Sequence, residues 1–308
     1  MIDAIAVVGA SGFVGRCLLE ALPAFGAPVL ALARREPSRP LPGVNAVVGR
    51  FESPGDFLPW LRRSRLVVHA ASMSTPGSTA GNPLAELHGN LAPTLALLEA
   101  LQAAPECGLL YLSSGGTLYG DTGPTPASEQ GALRPKSYHG AGKAAAEHFI
   151  RAWSSQFGGR AVILRPSNLY GPGQTLRNGF GIVPTAFEKI LRREPLTIWG
   201  DGSSIRDYLY IGDFIDLCLS VIRAPMPAGA EPLNAASGRG VSLNDLLREI
   251  ETVTGGTLIR KYDATRPGDV GRVVLDNRKA QRIYGWRPAT TLAEGLARSW
   301  DWYASSRA

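Results

Sequence analysis

Short apolar runs alternate with longer amphipathic stretches through the first half of the chain. The apolar runs cover residues 5–8, 29–32, 44–48, 66–69, 109–112 and 162–164. The stretches with helical spacing include residues 14–22, 83–101 and 139–157. Continuous apolar strands separated by helices are typical of a parallel sheet covered on both faces. The pattern therefore predicts an α/β fold built on a doubly wound parallel sheet.

The second half of the chain predicts a smaller α+β part. Glycines, prolines and polar residues interrupt the alternation over 171–206, and a helix predicted at 213–222 returns to the first domain. Helix-capping signals mark three further helices near the C-terminus. These signals are Ser242 before 243–253, Asp276 before 277–284 with Gly285 after it, and Thr291 with Glu294 in a capping box before 292–303.

The composition is that of a globular protein. Of the 308 residues, 44% are hydrophobic and 19% are charged, and no apolar run approaches the ~20 residues that span a bilayer. The N-terminus enters an apolar run without a basic region, so we expect no signal peptide and no membrane partner. Cys17, Cys107 and Cys218 lie far apart, which predicts no disulfide framework and no metal site and indicates the reducing cytoplasm.

The formal net charge of +6 narrows the choice of partners. The arginines are scattered and form no long basic run, so we expect a solvated basic surface and no nucleic-acid partner. A basic balance is also compatible with an anionic small-molecule substrate.

A glycine triplet follows the first predicted strand and opens the first predicted helix. In the segment Gly9–Gly15 (GASGFVG), the first glycine allows a tight turn, the second lets the backbone approach a pyrophosphate, and the third lets helix and strand pack closely. This strand–turn–helix context predicts a dinucleotide-binding loop. The predicted contacts of the loop are Gly9, Ser11, Gly12, Phe13, Val14 and Gly15.

The end of the second predicted strand carries Arg34 and Arg35, where an acidic residue usually holds the adenosine ribose of NAD. A guanidinium can bind the 2′-phosphate of NADP through two hydrogen bonds. It can also stack on adenine without distinguishing the two cofactors, or both arginines can be exposed loop charges. The cofactor is therefore predicted to be NAD or NADP, with a slight preference for NADP.

Two segments in the middle of the chain carry a family resemblance. Leu112–Gly120 (LSSGGTLYG) follows an apolar strand, and Ser137–Glu147 (SYHGAGKAAAE) starts a helix. Here the chain resembles the extended short-chain dehydrogenase/reductases, specifically the nucleotide-sugar epimerase/dehydratase group that contains the UDP-glucose 4-epimerases. Further segments resemble motifs of that group along nearly the whole chain: Val68–Ala71, Asn90, Arg165–Gln174, Trp199–Ile211, Arg266–Asp269 and Gly285–Trp286.

The resemblance implies a Rossmann-type dinucleotide-binding domain over 1–170, with 207–235 returning to it, and a nucleotide-sugar domain over 171–206 and 236–308. The implied cofactor contacts beyond those already named are Ala70, Ala71, Asn90, Ser113, Lys143 and Pro166. The implied substrate contacts are Asn168, Phe180, Trp199, Arg206, Arg266 and Asp269. A homodimer through the helices near 83–101 and 139–157 is also implied.

Some implied substrate contacts have structural alternatives. Trp199 can equally be part of the core. Arg206 and Arg266 suit phosphates because their guanidinium groups are planar and permanently charged. They can instead form surface salt bridges with Asp207 and Asp269.

The resemblance implies a catalytic Tyr-x-x-x-Lys pair, and this chain departs from it. Counting back four residues from Lys143 gives His139, and Tyr138 lies about 140° around a helix from Lys143. Imidazole in general has a pKa of about 6.5, so histidine at this position can act as a general base. Protonation makes it cationic beside Lys143, and at ~4 Å with an effective dielectric of ~20 such a contact costs about 4 kcal/mol. We therefore predict a slow enzyme or a shifted pH profile.

The family also places a serine or threonine before the catalytic tyrosine. In this chain that position falls on Gly115. Thr117, expected on the same side of an extended segment, and Ser114 are the candidate replacements. The neighbourhood of Gly116 and Thr117 lacks the acidic and basic residues of the family's dehydratases, which argues against 4,6-dehydration.

The predicted reaction is NAD(P)-dependent 4-epimerisation of a nucleotide sugar, with a UDP-hexose as substrate and a transient 4-keto sugar. One alternative is an NADPH-dependent nucleotide-ketosugar reductase, which the missing ribose carboxylate favours. The other is a catalytically silent nucleotide-sugar or dinucleotide-binding homologue, which the replacement of tyrosine by His139 favours.

Overall fold

A computed structural model describes residues 3–36, 40–75, 77–176, 181–265 and 268–307. The chain divides into two compact units. The first unit contains Met1–Ser114, Ser137–Arg165 and Ile215–Leu233. The second unit contains Gly115–Lys136, Pro166–Phe214 and Asn234–Ala308.

The first unit is built on a seven-stranded sheet. Its strands are β1 (Ala4–Val8), β2 (Val29–Ala33), β3 (Val44–Val48), β4 (Ser64–His69), β5 (Gly108–Leu112), β6 (Ala161–Pro166) and β10 (Ala230–Ala235). They lie in the order β10-β6-β5-β4-β1-β2-β3, and the pairs from β3 to β6 are all parallel. The chain reverses direction along the sheet between β1 and β4, the switch point at which doubly wound sheets bind ligands. The predicted Rossmann-type α/β architecture is confirmed.

Burial explains why the central strands of this sheet are apolar. Every residue of β1 and of β5 is buried, as expected of strands covered by helices on both faces. The covering helices are α1 (Phe13–Ala21) with a 3₁₀ turn at Leu22–Phe25, α2 (Pro54–Leu61), α3 (Pro83–Glu86), α4 (Ala92–Gln102), α6 (Tyr138–Phe157) and α8 (Ile211–Arg223). No helix within the described ranges combines the length and apolar character needed to cross a bilayer.

The helix predicted at 83–101 is interrupted. A π-helical segment, Leu87–Leu91, lies between α3 and α4 and contains Asn90. A π segment inserts one extra residue per turn and is frequent at functional sites. It therefore rotates the side chains of α3 relative to those of α4.

The second unit contains two small sheets and a helical layer. Strand β9 (Ile205–Tyr210) pairs with β7 (Asn168–Tyr170), β11 (Gly240–Ser242) and β13 (Arg272–Val273). Strand β8 (Leu196–Trp199) pairs with β12 (Arg260–Asp263). The helices are α5 (Gly115–Leu118), α7 (Ile182–Arg192), α9 (Leu243–Thr254), α10 (Arg278–Tyr284) and α11 (Leu292–Ser305). Their buried side chains form a separate core that includes Phe187, Leu246, Ile250, Leu296 and Tyr303.

Two of the three predicted helix caps are confirmed. Ser242 caps α9 by accepting from the Asp245 N–H at 3.1 Å, and Thr291 forms the predicted capping box with Glu294. The third prediction was wrong by one residue, because Asn277 is the N-cap of α10. The Asp276 carboxylate nevertheless accepts the first N–H group of that helix at 2.9 Å.

Residues 115–136 belong to the second unit, whereas we expected them in the first domain. The Thr122 N–H donates to the Arg272 carbonyl at 2.9 Å, and the Ala127 N–H donates to the Val274 carbonyl at 2.9 Å. These backbone hydrogen bonds tie the segment that follows β5 to residues far along the sequence, a pairing for which apolar periodicity gives no signal.

A buried ion pair joins α6 to β6 inside the first unit. The Arg165 guanidinium donates through Nη2 and Nε to the Glu147 carboxylate, at 2.5 and 3.1 Å to Oε2. The Ser113 hydroxyl donates to the same carboxylate at 2.6 Å, and both charged residues are fully buried. Each charge is therefore compensated by hydrogen-bonded partners, as burial requires.

Replacing Arg165 with methionine tests this pair. The variant removes the buried cation that pairs with the Glu147 carboxylate, so we expect the free energy of unfolding to fall by about 3–5 kcal/mol in urea denaturation. Arg151 is the matched control, because its guanidinium lies 3.9 Å from the same carboxylate but is 42% exposed. Arg151→Met should cost about 1 kcal/mol or less. Equal losses for the two variants would contradict the account of a buried pair.

Candidate active site

The glycine loop after β1 has the geometry of an anion-binding turn. Gly9 has a φ of 85°, and a Cβ there would overlap the backbone of Ala71. A Cβ at Gly15 would overlap the Gly9 carbonyl, so α1 can pack against the turn only with glycine at both positions. Gly12 is the N-cap of α1. The first N–H groups of a helix have no intrahelical partners, and together with the helix dipole they favour a bound phosphate.

The carboxyl ends of β1, β2 and β4 bring several predicted cofactor residues together. The Ala70 N–H donates to the Val8 carbonyl at 2.9 Å, which places Ala70 and Ala71 beside Gly9. Arg34, exposed at the end of β2, donates from Nη2 to the Met73 sulfur at 2.8 Å. The Gly9 turn, Ala70 and Arg34 thus lie at the carboxyl ends of neighbouring strands, and Arg35 is exposed beside Arg34.

Lys143 is buried on α6. Its ammonium donates to the Leu112 carbonyl at 2.8 Å and lies 4.8 Å from the centre of the Tyr111 ring. Burial lowers the pKa of Lys143 to about 8, although the carboxylates of Glu86 and Glu147 act in the opposite direction. The ammonium is therefore held in place, and it titrates closer to neutrality than an exposed lysine does.

His139 is also buried, one helical turn before Lys143. Its Nδ1 lies 2.9 Å from the Ser74 hydroxyl oxygen and 3.7 Å from Oε2 of Glu86. The helix begins just before it, where Ser137 caps α6 by accepting from the Gly140 N–H at 3.1 Å. The sequence prediction of a histidine and a lysine on one face of a helix agrees with this arrangement.

Asn90, Glu86 and Ser74 form a polar cluster beside His139. The Asn90 amide donates to the Ser74 oxygen at 2.6 Å and to Oε1 of Glu86 at 2.9 Å, and its Oδ1 accepts from the Met73 N–H at 2.7 Å. The Ser74 hydroxyl donates to Oε2 of Glu86. Asn90, predicted as a cofactor contact, thus has both side-chain polar atoms bonded within the protein.

Three further predicted site residues follow β5: Ser113, Ser114 and Thr117. The Ser113 hydroxyl is bonded to Glu147, and Ser114 is half-buried. Thr117 lies in the short helix α5, so the expectation of an extended segment was wrong. The glycine pair at its start allows the chain to turn into a helix there. A Cβ at Gly116 would lie 2.9 Å from Oδ1 of Asn168, so α5 and the side chain of Asn168 are in close contact.

In the second unit, Arg206 and Asp207 point to different environments on β9. The Asp207 carboxylate is buried and accepts from the hydroxyl groups of Ser167 and Ser237 at 3.0 and 2.7 Å. Burial lowers the pKa of the Arg206 guanidinium, and the charges of Asp269 and Asp121 oppose this. Asp207 therefore has a structural role, whereas Arg206 is a half-buried cation.

The remaining predicted substrate and cofactor contacts differ in exposure. Trp199 is 42% exposed, so the alternative of core packing was wrong. Asp269 is exposed and Pro166 is half-buried at the end of β6. Phe180 and Arg266 lie outside the described residues.

Residues 5–236 match the model of the NAD-dependent epimerase/dehydratase family. The chain belongs to this family. The match spans the glycine loop, His139, Lys143 and the returning strand β10, and it agrees with the resemblance seen in the sequence.

Individual relatives of the family match nearly the whole chain. A UDP-glucose 4-epimerase of Mycolicibacterium smegmatis is 29% identical over 312 residues, covering 96% of this chain and 97% of the relative. The structure of a Thermotoga maritima UDP-glucose 4-epimerase with UDP-glucose has a TM-score of 0.90 and 27% identity, covering 99% of this chain and 100% of that one. A Thermus thermophilus UDP-glucose 4-epimerase in complex with NAD has a TM-score of 0.90 and 28% identity, covering 98% and 99%.

Sequence reasoning missed Glu86 and Ser74. One signal was available, because Gly142 lies inside a helix one residue before Lys143, where a glycine costs stability unless another group needs the space. A Cβ at Gly142 would lie 2.5 Å from Oε1 of Glu86. The signal indicates a close approach but does not identify the residue that approaches.

The buried lysine predicts a pH dependence of stability. The folded protein releases the Lys143 proton near pH 8, whereas the unfolded chain holds it to about pH 10.5. Because the unfolded state binds more protons in this window, stability should rise with pH across it. Between about pH 7.5 and pH 10, the free energy of unfolding should rise by about 2 kcal/mol more in the wild type than in Lys143→Met.

Urea denaturation of both proteins at the two pH values measures this difference. Lys136→Met, which removes an exposed lysine, should follow the wild type. Identical pH dependence of the wild type and Lys143→Met would contradict the assignment of a destabilised ammonium at this position.

Proposed function

We propose that this protein is an NAD(P)-dependent nucleotide-sugar 4-epimerase that acts on a UDP-hexose. The observation that carries the proposal is the buried pair of His139 and Lys143, one turn apart on α6. It replaces the tyrosine–lysine pair that the family resemblance implies with another proton acceptor and the same cation. The names of the relatives, UDP-glucose 4-epimerases of similar length, support the reaction and the substrate class.

The residues present fit a dinucleotide. The cradle in which a Cβ at Gly9 or Gly15 would overlap neighbouring backbone lies at the start of α1, where a pyrophosphate is favoured. We propose that Ser11, Gly12, Phe13 and Val14 complete it. Further proposed contacts are Ala70, Ala71, Asn90, Ser113, Lys143 and Pro166. When bound in this cradle, the nicotinamide would supply a reversible hydride acceptor for C4 of the sugar.

The choice between NAD and NADP depends on the end of β2. Arg34 and Arg35 stand where a carboxylate would hold the ribose of NAD, and both are exposed. A guanidinium at this place binds a 2′-phosphate through paired hydrogen bonds. This supports a slight preference for NADP.

The proton moves through His139. Its imidazole takes the proton of the sugar 4-hydroxyl as the keto group forms, and it returns the proton when the hydride comes back. Lys143 positions the nicotinamide ribose and is cationic below its lowered pKa of about 8. Ser114 and Thr117 are proposed to hydrogen-bond the same hydroxyl oxygen.

The nucleotide diphosphate is proposed to bind the second unit. Asn168, held beside α5, and Arg206, a half-buried cation, supply hydrogen-bond donors suited to phosphate. The exposed indole of Trp199 offers a stacking surface for the base. Asp269, Phe180 and Arg266 are proposed to complete the site.

One observation favours a second candidate function. An NADPH-dependent ketosugar reductase would use the same proton donor, and Arg34 in place of a carboxylate supports it. An epimerase regenerates its oxidised cofactor in each turnover, whereas a reductase consumes NADPH. Net loss of NADPH absorbance with a 4-keto sugar therefore separates the two, and ligand binding without any turnover would indicate a silent homologue.

We further propose a homodimer and a cytoplasmic location. Apolar side chains are exposed on the segment 83–102 and on α6, and contiguous exposed apolar surface marks protein interfaces. They are Leu84, Leu87, Phe149 and Phe157. The thiols of Cys107 and Cys218 are buried and not joined by a disulfide, which is compatible with a reducing compartment.

Removing the imidazole tests the proposed function. His139→Gln should lower kcat for conversion of UDP-glucose into its C4 epimer by about 10²- to 10⁴-fold, because the general base is lost. The wild type should be assayed with UDP-glucose, UDP-N-acetylglucosamine and the corresponding uronic acids, with each cofactor, and the products identified by NMR.

His148→Gln is the matched control, since this exposed histidine lies on the same helix, and it should keep wild-type turnover. An unchanged kcat in His139→Gln would remove this residue from the mechanism. Wild-type protein that converts none of these sugars would overturn the assignment as an epimerase of them.

A further inference from the structure

We propose that Glu86, acting through the hydroxyl group of Ser74, is a positioning residue that fixes His139 in the tautomer with Nδ1 protonated and Nε2 free to accept a proton. The catalytic consequence rests on the proposed function. The tautomer itself rests on hydrogen bonds within the first unit.

The four residues of this network come from four places in the fold. Glu86 ends α3, Asn90 lies in the π-helical segment, and Ser74 lies in the loop after β4. His139 lies in the first turn of α6. All four side chains are buried, so their polar atoms must find partners among one another.

The hydroxyl group of Ser74 is the centre of the network. Its oxygen lies within hydrogen-bond distance of the Asn90 amide nitrogen at 2.6 Å, of His139 Nδ1 at 2.9 Å, and of the Glu86 carboxylate. A hydroxyl has one proton to donate and two lone pairs that accept. Three partners therefore use its full capacity, and their identities decide where each proton lies.

Two of the three partners are fixed by their chemistry. Oδ1 of Asn90 accepts from the Met73 N–H at 2.7 Å, so the group facing Ser74 is the amide NH₂, which can only donate. Burial raises the pKa of Glu86, but the hydrogen bonds that its carboxylate accepts from Ser74 and Asn90, together with the nearby His139, outweigh burial and hold that pKa below its usual value. The Glu86 carboxylate is therefore ionised and can only accept.

The third partner follows by elimination. Because Glu86 cannot donate, the single proton of the Ser74 hydroxyl must point to Glu86. Both lone pairs of the Ser74 oxygen then accept, one from Asn90 and the other from His139. Nδ1 of His139 must therefore carry a proton, and in a neutral imidazole this leaves Nε2 as the basic nitrogen.

A glycine on α6, Gly142, leaves space for the Glu86 carboxylate. A Cβ at Gly142 would lie 2.5 Å from Oε1 and 2.7 Å from Cγ of Glu86. Any larger residue at position 142 would therefore displace Glu86 from His139. A glycine in the interior of a helix is destabilising, and here it permits the approach of a charged partner.

Oε2 of Glu86 lies 3.7 Å from Nδ1 of His139. Lys143 and Glu147 follow at successive turns of the same helix. Other titratable groups on the packed elements include Arg165, which is paired with Glu147, and His69 and Tyr111, which are buried, while His88 and Glu99 are exposed. Burial lowers the pKa of His69 to about 3, so it adds no charge. Glu86 is thus placed to offset the positive charge that His139 gains when it accepts a proton.

The test is ¹⁵N NMR of the full-length protein labelled at histidine, with the His139 signals assigned through His139→Gln. We expect neutral His139 in the wild type to show a protonated Nδ1 and an unprotonated Nε2. Ser74→Ala and Glu86→Gln should each give a mixture of tautomers. Glu99→Gln, which removes an exposed carboxylate from the neighbouring helix, should change nothing.

Kinetic measurements give a second readout, which should not change if Glu86 has only a structural role. In Glu86→Gln the acidic limb of the pH–rate profile should move to lower pH, because the protonated imidazole loses its stabilising charge. The kcat should fall about 10-fold or more while KM stays within about 2-fold. Gly142→Ala should change the tautomer and the profile in the same direction.

The outcomes separate this proposal from the proposed function. A protonated Nε2 in wild-type His139, or an unchanged tautomer and pH profile in Glu86→Gln, would overturn it even if the enzyme is an epimerase. A wild type that converts no nucleotide sugar would overturn the epimerase assignment, while the tautomer measured in the wild type would still decide the role of Glu86. If Glu86→Gln does not fold, the His139 tautomer measured in the wild type, in Ser74→Ala and in Gly142→Ala tests the proposal instead.

Discussion

The chemistry proposed here requires a positive charge to appear on a buried imidazole one helical turn from a buried ammonium. A tyrosine in this position becomes neutral when it accepts a proton, whereas His139 becomes cationic beside Lys143. In general, two like unit charges ~4 Å apart repel by about 4 kcal/mol at an effective dielectric of ~20. A carboxylate at a similar distance contributes about the same energy with the opposite sign, and Glu86 lies 3.7 Å from the ring. The replacement of tyrosine by histidine and the buried glutamate are therefore two parts of one electrostatic arrangement.

The fold concentrates this arrangement on one face of α6. His139, Lys143 and Glu147 follow one another at four-residue intervals, and all three are buried. Each has a fixed partner: Ser74 for the imidazole, the Leu112 carbonyl for the ammonium, and Arg165 for the carboxylate. Buried charges are tolerated only when such partners are in place. The hydrogen-bond partners of these three side chains thus compensate the burial of their polar groups.

Much of the fold follows from local sequence, and the candidate site follows only in part. The strands were predictable because fully buried strands such as β1 and β5 are apolar along their length. The caps of α9 and α11 were predictable because their side-chain hydrogen bonds join residues close in sequence. The π segment around Asn90 was not predictable, since one inserted residue leaves the apolar pattern of a helix nearly intact. The short helix at Gly115–Leu118 was not either, because paired glycines permit both helix and extended chain. Ser74 lies 65 residues from His139, so nothing in the local sequence connects them.

The position of the imidazole relative to the sugar decides the central claim most directly. A crystal structure with both the dinucleotide and a UDP-hexose bound would measure the distance from Nε2 of His139 to O4 of the sugar. We expect a hydrogen bond of about 2.6–3.2 Å, or one bridging water, with Nδ1 still directed at Ser74. An imidazole that points away from the pyranose ring, with no water between them, would contradict the account.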